Sequence, residues 1–90
     1  MIILSYDISE NKVRTRFNKF ITKYGYRLQY SVYKIENAPN IIDNILIQID
    51  KRFKKQFSEE DSVIIFHIKN ENDIIRYGYA VHDNEDLIMI

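Results

Sequence analysis

The sequence predicts an α+β sandwich in βαββαβ order, with two amphipathic helices on one face of one sheet. Three observations carry that expectation. Residues 2–8 and 62–69 are short apolar runs rich in β-branched side chains. Residues 10–24 and 41–55 place their apolar side chains at helical spacing instead. A chain of 90 residues has room for one small domain and nothing larger.

The first strand, 2–8, reads Ile-Ile-Leu-Ser-Tyr-Asp-Ile, an apolar run suited to a central position. Ser9 is the expected N-cap of the first helix, with Glu10 at its positive end. Val13, Phe17, Phe20, Ile21 and Tyr24 then form the apolar face of a helix over 10–24. Gly25 follows where a left-handed C-cap is expected. Residues 27–36 are rich in β-formers and long for one strand. They form either one strand or two with a bend or bulge at Tyr30–Ser31, although no Gly or Asn marks a hairpin there.

Residues 37–40, Asn-Ala-Pro-Asn, are a loop with Asn40 as the expected cap. The second helix, 41–55, sets Ile41, Ile45, Ile49 and Phe53 four residues apart, with Ile42 and Leu46 beside them. Both faces of 62–69 are apolar, which places that strand centrally beside the first. Residues 73–80 read as a further strand and 86–90 as a closing one. The expected division is a core over 1–80 and a tail over 81–90. The element order matches the ferredoxin-like arrangement with one extra C-terminal strand. Its uncovered sheet face would be buried by sheet packing in a two-fold homodimer.

Composition narrows the classes of function. Hydrophobic residues make up 46% of the chain, with seven Tyr and five Phe, more than one small core covers, so self-association is expected. Cysteine is absent, which excludes disulfides and thiolate metal sites. No apolar run reaches the roughly 18–20 residues needed to span a bilayer, and no signal leader is visible, so the expected location is the cytoplasm with no membrane contact.

The net charge is zero, but its distribution is uneven. From residue 11 to 35 stand Lys12, Arg14, Arg16, Lys19, Lys23, Arg27 and Lys34, with no Asp or Glu among them. Lys51, Arg52, Lys54 and Lys55 extend the series, whereas eight acids follow residue 56. At about 100° per residue, Lys12, Arg16, Lys19 and Lys23 fall in one narrow stripe away from the apolar face. Arg14 falls elsewhere, at the edge of the apolar side. A stripe of uncompensated like charge suits contact with backbone phosphates, independent of base sequence and sensitive to salt. A solvated helix face is the plainer alternative.

Asp7 is the one carboxylate at the end of the first strand. It either holds the following turn, pairs with Arg14 or Arg16, or serves as a metal ligand. One carboxylate alone suits magnesium poorly, but two Asp7 side chains meeting at a dimer interface would supply a Mg²⁺ site. Tyr6, Tyr30 and Tyr33 accompany Arg27 and can stack on bases or belong to the core. Asp61 reads as a turn residue. His67 and His82 lack metal-ligand spacing and any nucleophile arrangement, and no glycine-rich phosphate loop is present.

Four segments together resemble the CRISPR-associated Cas-two family over essentially the whole length: Ile-Leu-Ser-Tyr-Asp-Ile at 3–8, Arg14-x-Arg16-Phe17, Gly25-Tyr-Arg27-Leu-Gln29-Tyr-Ser31-Val32-Tyr33, and Asp61-Ser62-Val63. The resemblance implies a ferredoxin-like homodimer with a place in spacer acquisition, where it bridges a CRISPR integrase of the Cas-one type and supports double-stranded DNA. It also implies an alternative, since several members are described as magnesium-dependent endonucleases (endoribonucleases) acting on RNA or double-stranded DNA. By motif match the metal and catalytic residue would be Asp7, and Arg14, Arg16 and Arg27 the phosphate contacts. Tyr6, Ser31 and Tyr33 are the supporting candidates, with Tyr33 standing where the family commonly has Phe. Leu87, Ile88, Met89 and Ile90 would dock the partner or the second copy. The expected function is a DNA-binding scaffold, favoured over the nuclease because no second acid or general base is visible in one chain.

Overall fold

A computed structural model describes residues 1–78, and the expected closing strand at 86–90 and the tail over 81–90 lie outside them. The elements run β1 (Ile2–Asp7), α1 (Asn11–Ile21), β2 (Gly25–Gln29), β3 (Val32–Ile35), α2 (Pro39–Gln48) and β4 (Ser62–His67). The sheet order is β2-β3-β1-β4, with every neighbouring pair antiparallel. This is the expected βαββαβ sandwich. β4 pairs with β1 over six residues as expected, but among the described residues it is an outer strand rather than a central one.

Alternation along β1 divides the sheet into two faces. Ile2, Leu4 and Tyr6 join Tyr33, Ile35 and the helix residues Val13, Phe17, Phe20, Ile21, Ile45 and Phe53 in one buried cluster. Ile3, Ser5 and Asp7 point the other way, beside Val32 and Lys34 of β3 and Ile64 and Phe66 of β4. The helices cover only the first face. Ile64 and Phe66 remain 51% and 46% exposed.

Several local expectations are corrected. Glu10, not Ser9, occupies the N-cap of α1, because both the amide and the hydroxyl of Ser9 donate to Asp61. The helix ends at Ile21, three residues early, where Thr22 Oγ1 bonds the Asn18 and Lys19 carbonyls and the final turn tightens. Gly25 is not a left-handed cap but the first residue of β2. A Cβ there would lie 2.1 Å from the Lys34 carbonyl oxygen, so glycine is required by close strand approach.

Residues 27–36 resolve into two strands. Ser31 adopts φ +64°, a left-handed conformation unusual outside Gly and Asn, and its carbonyl is held by the Tyr6 amide at 3.0 Å. A register shift between Arg27 and Gln29 sets an extra residue into β2.

The second helix begins at Pro39, with proline at its first turn and Ala38 rather than Asn40 at the cap. After Gln48 the chain widens into a π-helical turn, Ile49–Phe53, then a 3₁₀ turn, Lys54–Gln56. Positions four apart drift about 40° around an α-helix at each step, and the wider turn takes that drift back. Phe53 consequently lands in the core beside Phe17 and Phe20. Leu46 lies past the seam and is exposed.

The strand expected at 73–80 is absent from its described part. The Asn70 side chain accepts the Asn72 amide and starts a 3₁₀ turn at Glu71–Asp73, and Gly78 stands at φ +69°, outside extended geometry. Ile74, Ile75 and Arg76 instead border an apolar groove on the open sheet face with Ile3, Leu28 and Phe66.

Candidate nucleic-acid interface

The β1–α1 loop is built by two clasps. Asp61 accepts from the Ser9 amide at 2.9 Å and from the Ser9 hydroxyl at 3.0 Å, while its second oxygen accepts from the Ser58 amide at 2.9 Å. These donors hold the Asp61 carboxyl below its usual range, the Ser58 amide contributing most. A carboxyl whose folded pKa is depressed stabilises the fold above its unfolded pKa, near 3.8, and loses that contribution as pH falls through the folded value. Asp61→Asn should therefore flatten the acid limb of a stability–pH profile, read by thermal melts from pH 7 downward, and an unchanged limb would refute the clasp.

The second clasp is Arg14. Its Nη1 donates to the carbonyls of Ile8 at 3.0 Å and Ser9 at 3.2 Å, and its Nη2 donates to Asn11 Oδ1. Arg14 thus positions the loop after Asp7 as well as presenting charge. Asp7 itself stands exposed at the end of β1, opposite Ser62, on the open sheet face. Its carboxylate pairs with neither Arg14 nor Arg16, nor with any other described residue, so those two alternatives for Asp7 fall away. Arg16 turns instead to Gln56, 2.7 Å away.

The cations divide around α1. On one flank Arg14, Lys19 and Arg27 line a surface cavity of about 270 Å³ together with Tyr6, Ser31 and Tyr30. Thr15 and Asn18 complete its wall. On the other flank Gln56 joins Arg16 to the end of the second helix, where its Nε2 donates to the Arg52 carbonyl at 3.0 Å. Lys51, Arg52, Lys54 and Lys55 are exposed along that end. Lys12 is exposed on α1, and Lys23 borders a separate groove containing Glu36 and Glu71. Lys34 is neutralised by Glu71 at 3.2 Å, a hydrogen bond that raises its pKa.

Tyr6 and Tyr33 are stacked in the core at 6.2 Å, with Tyr33 fully buried. Both hydroxyls accept from the side-chain amide of Asn18. The rings therefore brace the site from behind, and only the Tyr6 edge borders the cavity. Tyr30 is the exposed ring, with the Arg27 guanidinium over it at 4.9 Å from the centroid. Lys51, Arg52, Lys54 and Lys55 extend the cationic series in the sequence but are not among the expected nucleic-acid contacts, although their unbroken charge is the signal. Thr15 and Asn18 gave none. Leu87, Ile88, Met89 and Ile90 lie outside the described residues.

The described residues of one chain do not make a divalent site. Among the described residues no three His, Asp or Glu side chains converge, and Asp7 is a single carboxylate. No helix among the described residues is long and apolar enough to cross a membrane.

Comparison with solved structures finds the same fold in Streptococcus pyogenes Cas2, crystallised at pH 6.5, with a TM-score of 0.64 at 20% identity, covering 86% of this chain and 98% of that one. A hypothetical protein from Thermus thermophilus matches with a TM-score of 0.66 at 18% identity, over 86% and 90% of the two chains. Comparison with curated proteins finds no match. A family model, that of CRISPR associated protein Cas2, matches residues 1–74 and so takes in the four described strands, both described α-helices and every cation around α1. The chain belongs to the family of CRISPR associated protein Cas2, and its role is accordingly CRISPR-associated.

Proposed function

We propose that the protein serves CRISPR adaptation, the acquisition of spacers, as a homodimeric scaffold that binds double-stranded DNA and bridges an integrase of the Cas-one type in the cytoplasm. The observation that carries this reading is the cationic surface around α1, with no Asp or Glu in the stretch from residue 11 to 35. Lys12, Arg16, Lys19 and Lys23 form no ion pair with any described acid, and Gln56 links Arg16 to the basic end of the second helix. Such a surface attracts phosphates through counterion release and reads no base edges. The dimer would form through the open sheet face, where Ile3, Val32, Ile64 and Phe66 lie side by side. A stable interface takes about 800 Å² from each partner, within reach of a four-stranded sheet.

The test is filter binding of a duplex across a salt series. Log affinity should fall linearly with log salt, and Arg16→Glu with Lys19→Glu, present in both copies of the dimer, should reduce the slope by about 4, at roughly 0.9 per phosphate lost. Arg14 is left in place because its guanidinium holds the loop. Binding indifferent to salt, or undiminished in the double variant, would overturn the reading.

One observation favours a second reading, a magnesium-dependent endonuclease. Asp7 is exposed, unpaired among the described residues, and on the face where two copies would meet. A pair of Asp7 carboxylates could hold the ion, which would polarise a phosphoryl group or lower the pKa of a bound water. Asp7→Ala separates the readings. A scaffold keeps duplex binding and spacer integration, whereas a nuclease loses metal-dependent cleavage.

A further inference from the structure

Contact with a phosphate depends on where a guanidinium points as well as on its charge. Arg16 is exposed on α1, and among the described residues its hydrogen bond runs to a neutral group, Nη1 donating to Gln56 Oε1 at 2.7 Å. Gln56 is half-buried and itself anchored, since its Nε2 donates to the Arg52 carbonyl at 3.0 Å. The Arg52 guanidinium in turn lies over the ring of Phe53, 4.6 Å from the centroid, and Phe53 is fully buried.

Two local departures from α-geometry bring Gln56 to this place. The π-helical turn Ile49–Phe53 closes one residue later than an α turn, and Phe53 leaves it facing the core. In the 3₁₀ turn that follows, Lys54–Gln56, side chains three apart eclipse, so Gln56 continues the side of the helix on which Phe53 stands. Phe53 meets Phe17 edge to face at 5.0 Å, and Arg16 is the residue before Phe17. The buried ring contact therefore selects the polar partners outside it.

An amide at position 56 does what a carboxylate could not. A Glu there would orient Arg16 but cancel its charge, as Glu71 does for Lys34 at 3.2 Å. The amide oxygen takes one N–H and leaves the guanidinium cationic, with its remaining donors for a phosphate. A loose arginine gives up rotamer freedom when it meets its ligand, whereas Arg16 has already given it up on folding.

We infer that Gln56 is a positioning residue, holding the Arg16 guanidinium, still charged, in the setting in which it meets a duplex phosphate. The inference rests on the DNA-binding reading above. It adds a residue that changes affinity without changing how many phosphates are neutralised.

The test is filter binding of the full chain to a blunt DNA hairpin across a salt series, at a temperature well below every variant's melting midpoint. Gln56→Met keeps net charge and side-chain length but removes both polar atoms. It should weaken binding about 2- to 12-fold at each Arg16, and so roughly 5- to 150-fold for a duplex touching both copies of a dimer, with the salt slope of the parent. Gln56→Glu should pair with Arg16 and make the slope shallower by about 2 over the two copies. In an Arg16→Met background, Gln56→Met should add less than about twofold. Unchanged affinity in Gln56→Met, or a loss just as large without Arg16, would overturn the inference while duplex binding persists. So would a parent-like slope in Gln56→Glu, or a shallower one in Gln56→Met. Failure of the parent protein to bind the hairpin would overturn this inference and the scaffold reading together.

Discussion

Phe17→Ala should remove about 3–5 kcal/mol of stability, the range seen when a buried aromatic ring is cut back to a methyl group. Phe17 is fully buried at the centre of the helix-covered face. Its ring meets Tyr6 and Phe53 at 5.0 Å each, edge to face, with Phe20 at 5.9 Å and Phe57 at 6.1 Å. Four rings from β1, α1 and the end of the second helix would face the void, and none can close it without moving its own element. A domain of this size has about 5–13 kcal/mol in total. At about 4–8 °C for each kcal/mol, the midpoint of a thermal melt followed by circular dichroism should drop by at least about 12 °C. A drop of only a few degrees would show that the ring cluster is not the centre of the fold. Duplex binding should fail with the fold, because α1 carries Lys12, Arg14, Arg16 and Lys19.

Gly25→Ala should cost about 3 kcal/mol although it adds a single methyl group, because the obstacle is backbone rather than a side chain able to turn aside. The new carbon would sit 2.1 Å from the Lys34 carbonyl oxygen, 2.9 Å from its carbon and 3.0 Å from Ile35 Cα. β2 would have to separate from β3 at the rung that pairs Gly25 with Ile35, next to the bond from the Glu36 amide to the Tyr24 carbonyl at 2.8 Å. Arg27 and Tyr30 lie on the same ribbon, so the shift should also weaken DNA binding at temperatures where the variant remains folded. Gly78→Ala is the control: no described residue lies within 4 Å of the added carbon, and its φ of +69° opposes the change at about 1 kcal/mol. Equal melting points for the two variants would refute the close-approach argument.

The parts of the fold that could be read from the sequence are those specified by local pattern. Ile2, Leu4 and Tyr6 alternate with Ile3 and Ser5, and Val13, Phe17, Phe20 and Ile21 recur at helical spacing, so β1 and α1 were visible without a partner in view. Gly25 was misread because a glycine after a helix looks the same whether it caps the helix or admits a neighbouring strand. The β2–β3 turn at Tyr30–Ser31 was one of two alternatives and not a firm expectation, for a related reason. Its left-handed residue is Ser31, held by a bond from Tyr6 that is distant in sequence. Residues 73–78 carry β-forming side chains, yet Asn70 starts a turn and Gly78 leaves extended geometry. The cationic stripe could be read because it is a property of one helix. The cavity could not, since Tyr6, Arg14, Lys19, Arg27 and Tyr30 converge only when three separate segments are packed.

Asn18 spends both of its amide hydrogens on the Tyr6 and Tyr33 hydroxyls, one on β1 and one on β3. The helix is therefore indexed against the sheet like a pin through two holes. Sliding along its axis or rolling about it would forfeit both bonds at once, so α1 has one permitted setting rather than a range. The separation between Lys19 on the helix and Arg27 on the ribbon is thereby gauged by the protein interior and not by the flexibility of the connecting loop. A polymer of fixed repeat laid across them meets a ruler whose marks do not move.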